Sequence, residues 1–360
     1  MFRYSIVIPS YNYGSFLSCI LESLNHQAGF GKGDFEVIVV DDGSQENLYR
    51  IVKEANYNFD IQYLYLERTE GSCAARARNY GWRIAKGEII IFLDHDVIVR
   101  EHYLQEVDRY FAMSNNILLF GTRLMLQHEV TLENIRNGNV FRENYFSGQK
   151  PELHEFRYRL FNLFSYNFSS FIYPWLLVFG CNMIVPNVWL TKVGGFDETS
   201  KGWGLDDVEL AYRLYEAGLT LVLNTKLEVL HQFHGDGTDV IPDERYDHVD
   251  RKTAQFMKKH PHAFSLPEGM GFCIFKGWVE LEWNGPRMEP VKTEIIEFRD
   301  KGQNQTLQRR ILSLSQEPGY EIIVKDFVED TDIDVWIQLM GRTKSIIKYF
   351  PMSKTYEINP

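Results

Sequence analysis

Glu88-Ile-Ile-Ile-Phe-Leu-Asp-His-Asp-Val97 decides how the rest of this chain is read. Five apolar residues from Ile89 to Leu93 are too few for an isolated helix and suit a strand buried on both faces. Two carboxylates follow at once. Side chains alternate along a strand, so Asp94 and Asp96 can point to one side where it ends, and a pair of hard oxygen ligands there suits Mg²⁺ or Mn²⁺. Asp-x-Asp is common by chance, and a solvated turn at a strand end is the competing reading. The surrounding segments have to decide.

Upstream, strand and helix alternate. Residues 4–9 (Tyr-Ser-Ile-Val-Ile-Pro) read as a buried strand, broken by Ser10-Tyr11-Asn12-Tyr13-Gly14. A helix is predicted over residues 15–26, with Phe16, Leu17, Ile20, Leu21 and Leu24 at helical spacing. Residues 35–40, apolar except for Glu36, form a second strand that ends in Asp41-Asp42-Gly43-Ser44. A helix (45–55), a strand (61–66), a loop (67–72) and a helix (73–86) lead to Gly87 and the Ile89 strand. This order predicts an α/β fold: an open parallel sheet with helices on both faces and ligands beyond the carboxyl ends of its strands. Three of those ends carry Ser10-Tyr11-Asn12, Asp41-Asp42 and Asp94-His95-Asp96, so polar chemistry gathers along one edge.

With 360 residues, 44% of them hydrophobic, the chain can bury one large core and carry an appendage. A formal charge of -11 argues against nucleic acid or an anionic lipid surface as the main partner. An anionic substrate must then be met by a metal or by locally placed cations. Cys19, Cys73, Cys181 and Cys273 are scattered, with neither a zinc-type pair nor a dense disulfide framework, which predicts reduced thiols in a cytoplasm. Met1 stands directly before the first strand, leaving no room for a signal peptide. The most apolar later stretch, residues 171–179, is interrupted by Pro174 and too short to span a bilayer. The expectation is a soluble, cytoplasmic chain with no integral membrane segment.

Ile6-Val7-Ile8-Pro9-Ser10-Tyr11-Asn12, Val39-Val40-Asp41-Asp42-Gly43-Ser44, Ala77-Arg78-Asn79 with Gly81, and Phe92-Leu93-Asp94-His95-Asp96 resemble, in this order, the successive signatures of family 2 glycosyltransferases of the GT-A type. The resemblance runs from about residue 4 to 235. It implies a Rossmann-like GT-A nucleotide-sugar-binding fold, a nucleoside-diphosphate sugar donor, most often a UDP-sugar, and a divalent cation. It also implies that Pro9 and Tyr11 line the base and that Asp42 meets the uracil or ribose, since a carboxylate can accept from an imide N–H or from hydroxyls. Asp-Gly is equally a plain turn, in which Asp41 or Asp42 caps the next helix. Arg78, beside Asn79 and ahead of the Asp-x-Asp strand, is placed to reach the nucleotide or diphosphate, or else to form a surface ion pair. Arg68 and Arg76 are further candidates that the pattern does not separate.

Residues 100–178 are aromatic and irregular. Such rings can stack on sugars or simply fill a core. Then Val178-Phe179-Gly180-Cys181-Asn182, Val193-Gly194-Gly195-Phe196-Asp197-Glu198 and Gly202-Trp203-Gly204-Leu205-Asp206-Asp207-Val208-Glu209 resemble the acceptor half of galactosyltransferase and chondroitin-polymerase domains, where Trp-Gly-x-Glu-Asp precedes a helix. Asp206 stands where Glu is usual, one methylene shorter. The resemblance gives Trp203, Gly204 and Asp206 to the substrate and makes Asp207 the general base that takes the acceptor's proton. A bland reading fits the same residues: Asp206 and Glu209 make a capping-box spacing, and Gly218 is placed to stop the helix. Residues 220–223 and 227–230 read as short strands, the second ending in His231-Gln232-Phe233-His234. In the resembled type a histidine at this point helps hold the cation. The implied ligand set is Asp96, Asp94 and His231, with His234 as the alternative, and imidazole suits Mn²⁺ better than Mg²⁺.

Residues 236–267 are charged and helical in part (251–260), as a lid or a packing helix. The expected division is a GT-A domain over 1–267 and an accessory region over 268–360. The latter reads as a smaller α+β region, with strands 293–298, 321–327 and 334–339 around a helix at 305–315. Acceptor binding, pairing into a homo-oligomer and recruitment of a partner all stay open for it. The expected function is metal-dependent transfer of a sugar from a nucleoside diphosphate to a carbohydrate, peptide or small-molecule acceptor, with inversion implied by the resemblance. The alternative is a non-catalytic nucleotide-sugar or carbohydrate binding protein on the same scaffold, for which Asp207 has no evident use. A sugar-phosphate nucleotidyltransferase would want a Gly-rich basic loop after the first strand, which residues 10–14 do not supply.

Overall fold

The computed structural model describes residues 2–141, 155, 157–158, 161, 173–199, 204–234, 243–264, 290–328, 332–340 and 343–352. The chain divides into two compact units, residues 1–155 with 175–275, and residues 156–174 with 276–360.

In the first unit the apolar runs become strands. β1 (Tyr4–Ser10), α1 (Gly14–Leu24), β2 (Phe35–Asp41), α2 (Leu48–Glu54), β3 (Asp60–Tyr65), α3 (Ala74–Ile84) and β4 (Ile89–Leu93) follow the predicted alternation. β1, β2 and β4 are buried along their whole length, and α1 turns Leu17, Ile20, Leu21 and Leu24 into the core. Removing such a side chain from water contributes about 1.5–3 kcal/mol. Glu36, the polar exception in β2, is also fully buried. It accepts from Ser5 Oγ at 2.7 Å, Gln62 Nε2 at 2.7 Å and the Lys86 amide at 2.6 Å, so it ties three chain segments together instead of disrupting the sheet. α2 begins later than expected because Asn47 caps it, accepting from the Arg50 amide.

The chain continues through β5 (Val97–Ile98), α4 (Tyr103–Phe111), β6 (Ile117–Phe120), β7 (Arg123–Met125), α5 (Leu132–Arg136), β8 (Asn182–Pro186), α6 (Asn187–Val193), α7 (Asp206–Glu216), β9 (Thr220–Leu223), β10 (Val229–His231) and α8 (Asp243–Lys259). The main sheet has seven strands in the order β3-β2-β1-β4-β8-β6-β9. It is mixed where a parallel sheet was expected: β8 runs antiparallel to both β4 and β6. The reason is its entry point. Asn182 pairs with Leu93 at the carboxyl end of β4, so the preceding loop, residues 178–181, lies on the edge where Asp94 begins. A small second sheet, β5-β10-β7, crosses that edge and pairs His231 with Val97.

The second unit contains β11 (Lys292–Phe298), α9 (Asn304–Ser315), β12 (Tyr320–Asp326), α10 (Ile333–Leu339) and β13 (Ile346–Pro351). Its three strands are all parallel with helices as crossovers, which is an α/β arrangement where α+β was expected. The strand expected over residues 334–339 is a helix. Within that window Val335 and Ile337 alternate, but Ile333, Trp336, Ile337 and Met340 all join the unit's core, the i, i+3, i+4, i+7 stripe of a helix. Two of those four residues lie just outside the window. β13 carried no signal that the sequence reading used. No helix among the described residues is long and apolar enough to cross a membrane.

Candidate active site at the carboxyl edge of the sheet

β4 stops at Leu93, and the backbone then turns, with the Val97 amide donating to the Asp94 carbonyl at 3.3 Å. Strict alternation ends there. Asp94 and Asp96 consequently part company, each taking its own set of partners.

Asp96 faces β10. Pairing of Val97 with His231, and donation from the Gln232 amide to the Asp96 carbonyl at 2.8 Å, fix the two segments side by side. Asp96 Oδ2 lies 3.3 Å from His231 Nε2 and 3.2 Å from His234 Nε2. His231 Nδ1 sits 3.1 Å from the Gln232 carbonyl, which orients its ring with Nε2 toward the carboxylate. The ligand atoms of Asp96, His231 and His234 all fall within 4.8 Å of one another. Asp96 Oδ1 and His234 Nε2 are shut off from solvent and make no hydrogen bond. Burial alone would push the Asp96 carboxyl up, yet the imidazoles of His231 and His234, with His95, hold it well below the usual carboxylate range. Burial would likewise lower His231, and the Asp96 charge outweighs it and raises it. One carboxylate and two imidazoles with unsatisfied buried atoms are a donor set that fits a divalent cation.

Asp94 faces α3 instead. Arg78 donates through Nη2 to Asp94 Oδ1 at 2.7 Å and through Nη1 to Asp206 Oδ2 at 2.9 Å. Its guanidinium, 6% exposed, therefore pins the end of β4 to the start of α7. Burial would depress Arg78, and Asp94 and Asp206 more than offset it, holding the guanidinium more firmly protonated than usual. Gly180 lies against it: a Cβ there would stand 2.9 Å from Arg78 Cζ. The Gly180 amide donates to Asp207 Oδ2 at 2.9 Å, and the Val208 amide to Asp207 Oδ1 at 2.9 Å. Asp207 is pushed up to about 6, first by burial and then by the neighbouring Asp206 charge, against the pull of the Gly180 amide, Arg78 and the Val208 amide.

The expected capping box does not form. Leu205, in the left-handed region at φ 63°, precedes the helix with no side-chain cap, and Asp206 goes to Arg78. Glu209 accepts from Arg213 Nη2 at 2.7 Å, Lys259 Nζ at 2.6 Å and His260 Nε2 at 3.0 Å, which fastens α7 to the end of α8. α8 is thus a packing helix, longer than the stretch expected. Gly218, at φ 105°, follows the end of α7 as anticipated.

At the far end of the edge, Asp42 accepts from Arg68 Nη1 and Arg76 Nη1, each at 3.1 Å, and Arg68 also stacks on the Tyr11 ring, 3.9 Å from its centroid. Burial raises Asp42 despite Ser72, Arg68 and Arg76. Asp41 serves the turn, accepting from the Ser44 amide at 2.7 Å and from Tyr63. Tyr11 is 37% exposed, whereas Pro9 is buried within β1. Asn79 bonds both backbone groups of Phe196 and holds the Gly195 turn. Gly204 and Asp206 lie at the start of α7, and Trp203 falls outside the described residues. The structure thus joins Asp94, Arg78, Asp206 and Asp207 in one chain of contacts, and Asp96, His231 and His234 in another two residues away. Reading the sequence had assigned no role to Gly180 and no role at all to Arg123; neither carries a local motif.

Residues 5–172 match the model of the family described as glycosyl transferase family 2, and residues 163–235 that of the N-terminal domain of galactosyltransferase. Validoxylamine A glucosyltransferase of Streptomyces hygroscopicus subsp. jinggangensis is 29% identical over 73% of this chain and 62% of its own length. Chondroitin synthase of Escherichia coli is 30% identical over 59% of this chain and 32% of its own. The chain thus spans less than two thirds of the length of either relative. Among solved structures, a mannosyltransferase from Pyrobaculum calidifontis in complex with GDP-Man and Mn²⁺ superposes with a TM-score of 0.52 over 86% of this chain and 75% of that one, at 14% identity. The shared architecture is the GT-A fold.

Proposed function

We propose, from the match of residues 5–172 to the model of glycosyl transferase family 2, that the protein transfers a sugar from a nucleoside diphosphate, UDP in the first instance, to an acceptor nucleophile with inversion at the anomeric carbon. The observation that carries the reading is the position of Asp207. A buried carboxylate, pushed up to about 6 and aimed by two backbone amides, is set beside the Arg78 bridge that leads to the Asp-x-Asp end of β4. A general base works best with a pKa near the working pH and a fixed direction.

In this reading Tyr11, Asp42 and Arg68 receive the base and ribose, the exposed ring offering a stacking surface and Asp42 its carboxylate. Asp96, His231 and His234 would hold a divalent cation, Mn²⁺ suiting the mixed carboxylate–imidazole set better than Mg²⁺. When bound, that cation would supply positive charge to the departing diphosphate. Arg78, engaged by two carboxylates, acts through them: it orients Asp94, whose Oδ2 stays clear of that contact, and the start of α7. Gly204, at φ 99°, admits the sugar or acceptor close to the backbone. Asp207 takes the acceptor's proton as the new bond to the anomeric carbon forms and the bond to the diphosphate oxygen breaks.

The test is donor hydrolysis and transfer across a panel of UDP-sugars with Mn²⁺. Asp96→Ala is expected to lose metal-dependent nucleotide binding. Asp207→Asn is expected to keep that binding and lose turnover by about 10²- to 10⁴-fold. An Asn variant with normal turnover would remove Asp207 from the reaction and favour the binding-protein alternative.

A further inference from the structure

Among the described residues, one arginine of this edge has no hydrogen bond or ion pair on its guanidinium. β6 ends at Phe120, and Gly121 passes so close to the Leu227 carbonyl that a Cβ would stand 2.0 Å from its oxygen. That crossing leads the chain into β7, where Arg123 pairs with Val229, two residues ahead of His231 on the neighbouring strand. The Arg123 amide is held by Glu155 Oε2 at 3.1 Å. Its guanidinium lies over the Phe179 ring, 5.1 Å from the centroid and next in sequence to Gly180. Nε is shut off from solvent with no hydrogen bond, and the guanidinium makes no ion pair with any described residue. The other arginines of the edge differ: Arg68, Arg76 and Arg78 each hold a carboxylate. Burial would lower the Arg123 guanidinium, and Cys181, Glu155, Asp96 and Asp94 together raise it, while its charge in turn pulls His231 down.

An enclosed donor with nothing to donate to is unfavourable and rare, and a ligand that completes it is the usual explanation. The guanidinium is a flat fork of N–H groups matched to phosphate oxygens. We infer that Arg123, on the strand paired with the one that carries His231 and with its guanidinium over Phe179, binds the donor's diphosphate beside the Asp96–His231–His234 cluster. This rests on the transferase reading. In transfer, the acceptor atom bonds to the anomeric carbon, its proton passes to Asp207, and the electron pair of the broken carbon–oxygen bond stays on the diphosphate. Arg123 would add fixed positive charge where that negative charge grows.

Calorimetric titration of UDP and of uridine, both with Mn²⁺, separates the roles. Arg123→Met is expected to weaken UDP by about 10- to 100-fold, to leave uridine and Mn²⁺ binding within about twofold, and to lower kcat more than it raises KM. Arg123→Lys, which keeps the charge and loses the fork, is expected to fall between and covers the case in which the Met variant does not fold. Wild-type protein that binds neither UDP nor GDP would overturn the transferase reading and this inference with it. Wild-type protein that binds UDP, with variants that bind it equally well, would overturn the role of Arg123 alone. An equal loss of UDP and uridine would make Arg123 a structural residue, as would a transfer defect without any UDP defect make its ligand an anionic acceptor.

Discussion

At Asp94 a carboxylate has an arginine on it; at Asp96, two residues on, a carboxylate has two imidazoles beside it and an oxygen with no partner. The first belongs to a chain, Asp94–Arg78–Asp206, that continues through Gly180 to Asp207, with charge answered by charge and by backbone amides. The second gathers acceptor atoms with too few protons to satisfy them. The difference separates two uses of buried polarity. The Arg78 chain is complete within the protein, so it can hold a carboxylate in one direction. The Asp96 cluster is complete only with something added, so it can respond to a cation.

If that contrast is right, the two clusters must fail differently. Arg78→Met leaves Asp94 and Asp206 without their shared counter-charge, and breaking a buried pair from one side costs about 3–5 kcal/mol. Chemical denaturation without metal is expected to show that loss, and a smaller one in Asp96→Ala, whose carboxylate is held by two imidazoles on Oδ2 but leaves Oδ1 without a partner. The reverse order would dissolve the distinction. Next in size is the response to the ion itself. Mn²⁺ at about a hundred times its dissociation constant stabilises a folded protein by about 2.7 kcal/mol. Melting curves should show that rise in wild type and in Arg123→Met, and lose it in Asp96→Ala and His231→Ala. A rise that survives both of the latter would place the cation elsewhere.

Much of the contrast was readable and part of it was not, for physical reasons. The donor half was legible because β1, β2 and β4 are short apolar runs closed by turn residues, and burial on both faces leaves such runs few alternatives. Asp94 and Asp96 were legible as residues but not as neighbours of different partners. Period-two alternation holds only while the chain is extended, and the turn after Leu93 ends it. Asp206 and Glu209 have capping-box spacing, yet Arg78 takes Asp206, and Lys259 and His260 join Arg213 of the same helix on Glu209; the three distant partners lie outside any local window. Gly180 and Arg123 are singled out only by what stands next to them in space. Residues 334–339 misled for the opposite reason: the window was too short to include Ile333 and Met340, which complete the helical stripe.

Gly180 offers a smaller test of the completed chain. A guanidinium is normally the mobile end of its side chain and would yield to an added methyl, but here two carboxylates hold it. A Cβ at 180 would meet Arg78 Cζ at 2.9 Å and both terminal nitrogens at 3.0 and 3.1 Å. Gly180→Ala is therefore expected to destabilise by about 1–3 kcal/mol, as overpacking does. It should also reduce turnover while leaving UDP and Mn²⁺ affinity intact, because the shift falls on the amide that aims Asp207. Unchanged stability and turnover would mean that Arg78 can move, and that the chain is looser than its contacts suggest.

The smallest effect per step is the one with pH. Asp207 is pushed up to about 6 by burial and by Asp206, and it must be ionised to accept a proton. Activity is expected to fall about tenfold, or about 1.4 kcal/mol, for each unit of pH below that value. Stability has the opposite sign. Because the folded state holds this proton more tightly than the unfolded chain, Asp207 contributes stability that is fully present below its ordinary carboxyl range near pH 4 and is lost as pH rises through about 6. Acid should thus slow the reaction before it harms this part of the fold. Asp206→Asn removes the neighbouring charge and leaves Arg78 to act on Asp207, so the midpoint of the activity profile is expected to move down. A profile that is flat between about pH 5 and 7, or a midpoint that stays in place in Asp206→Asn, would show that the proton is taken by another group.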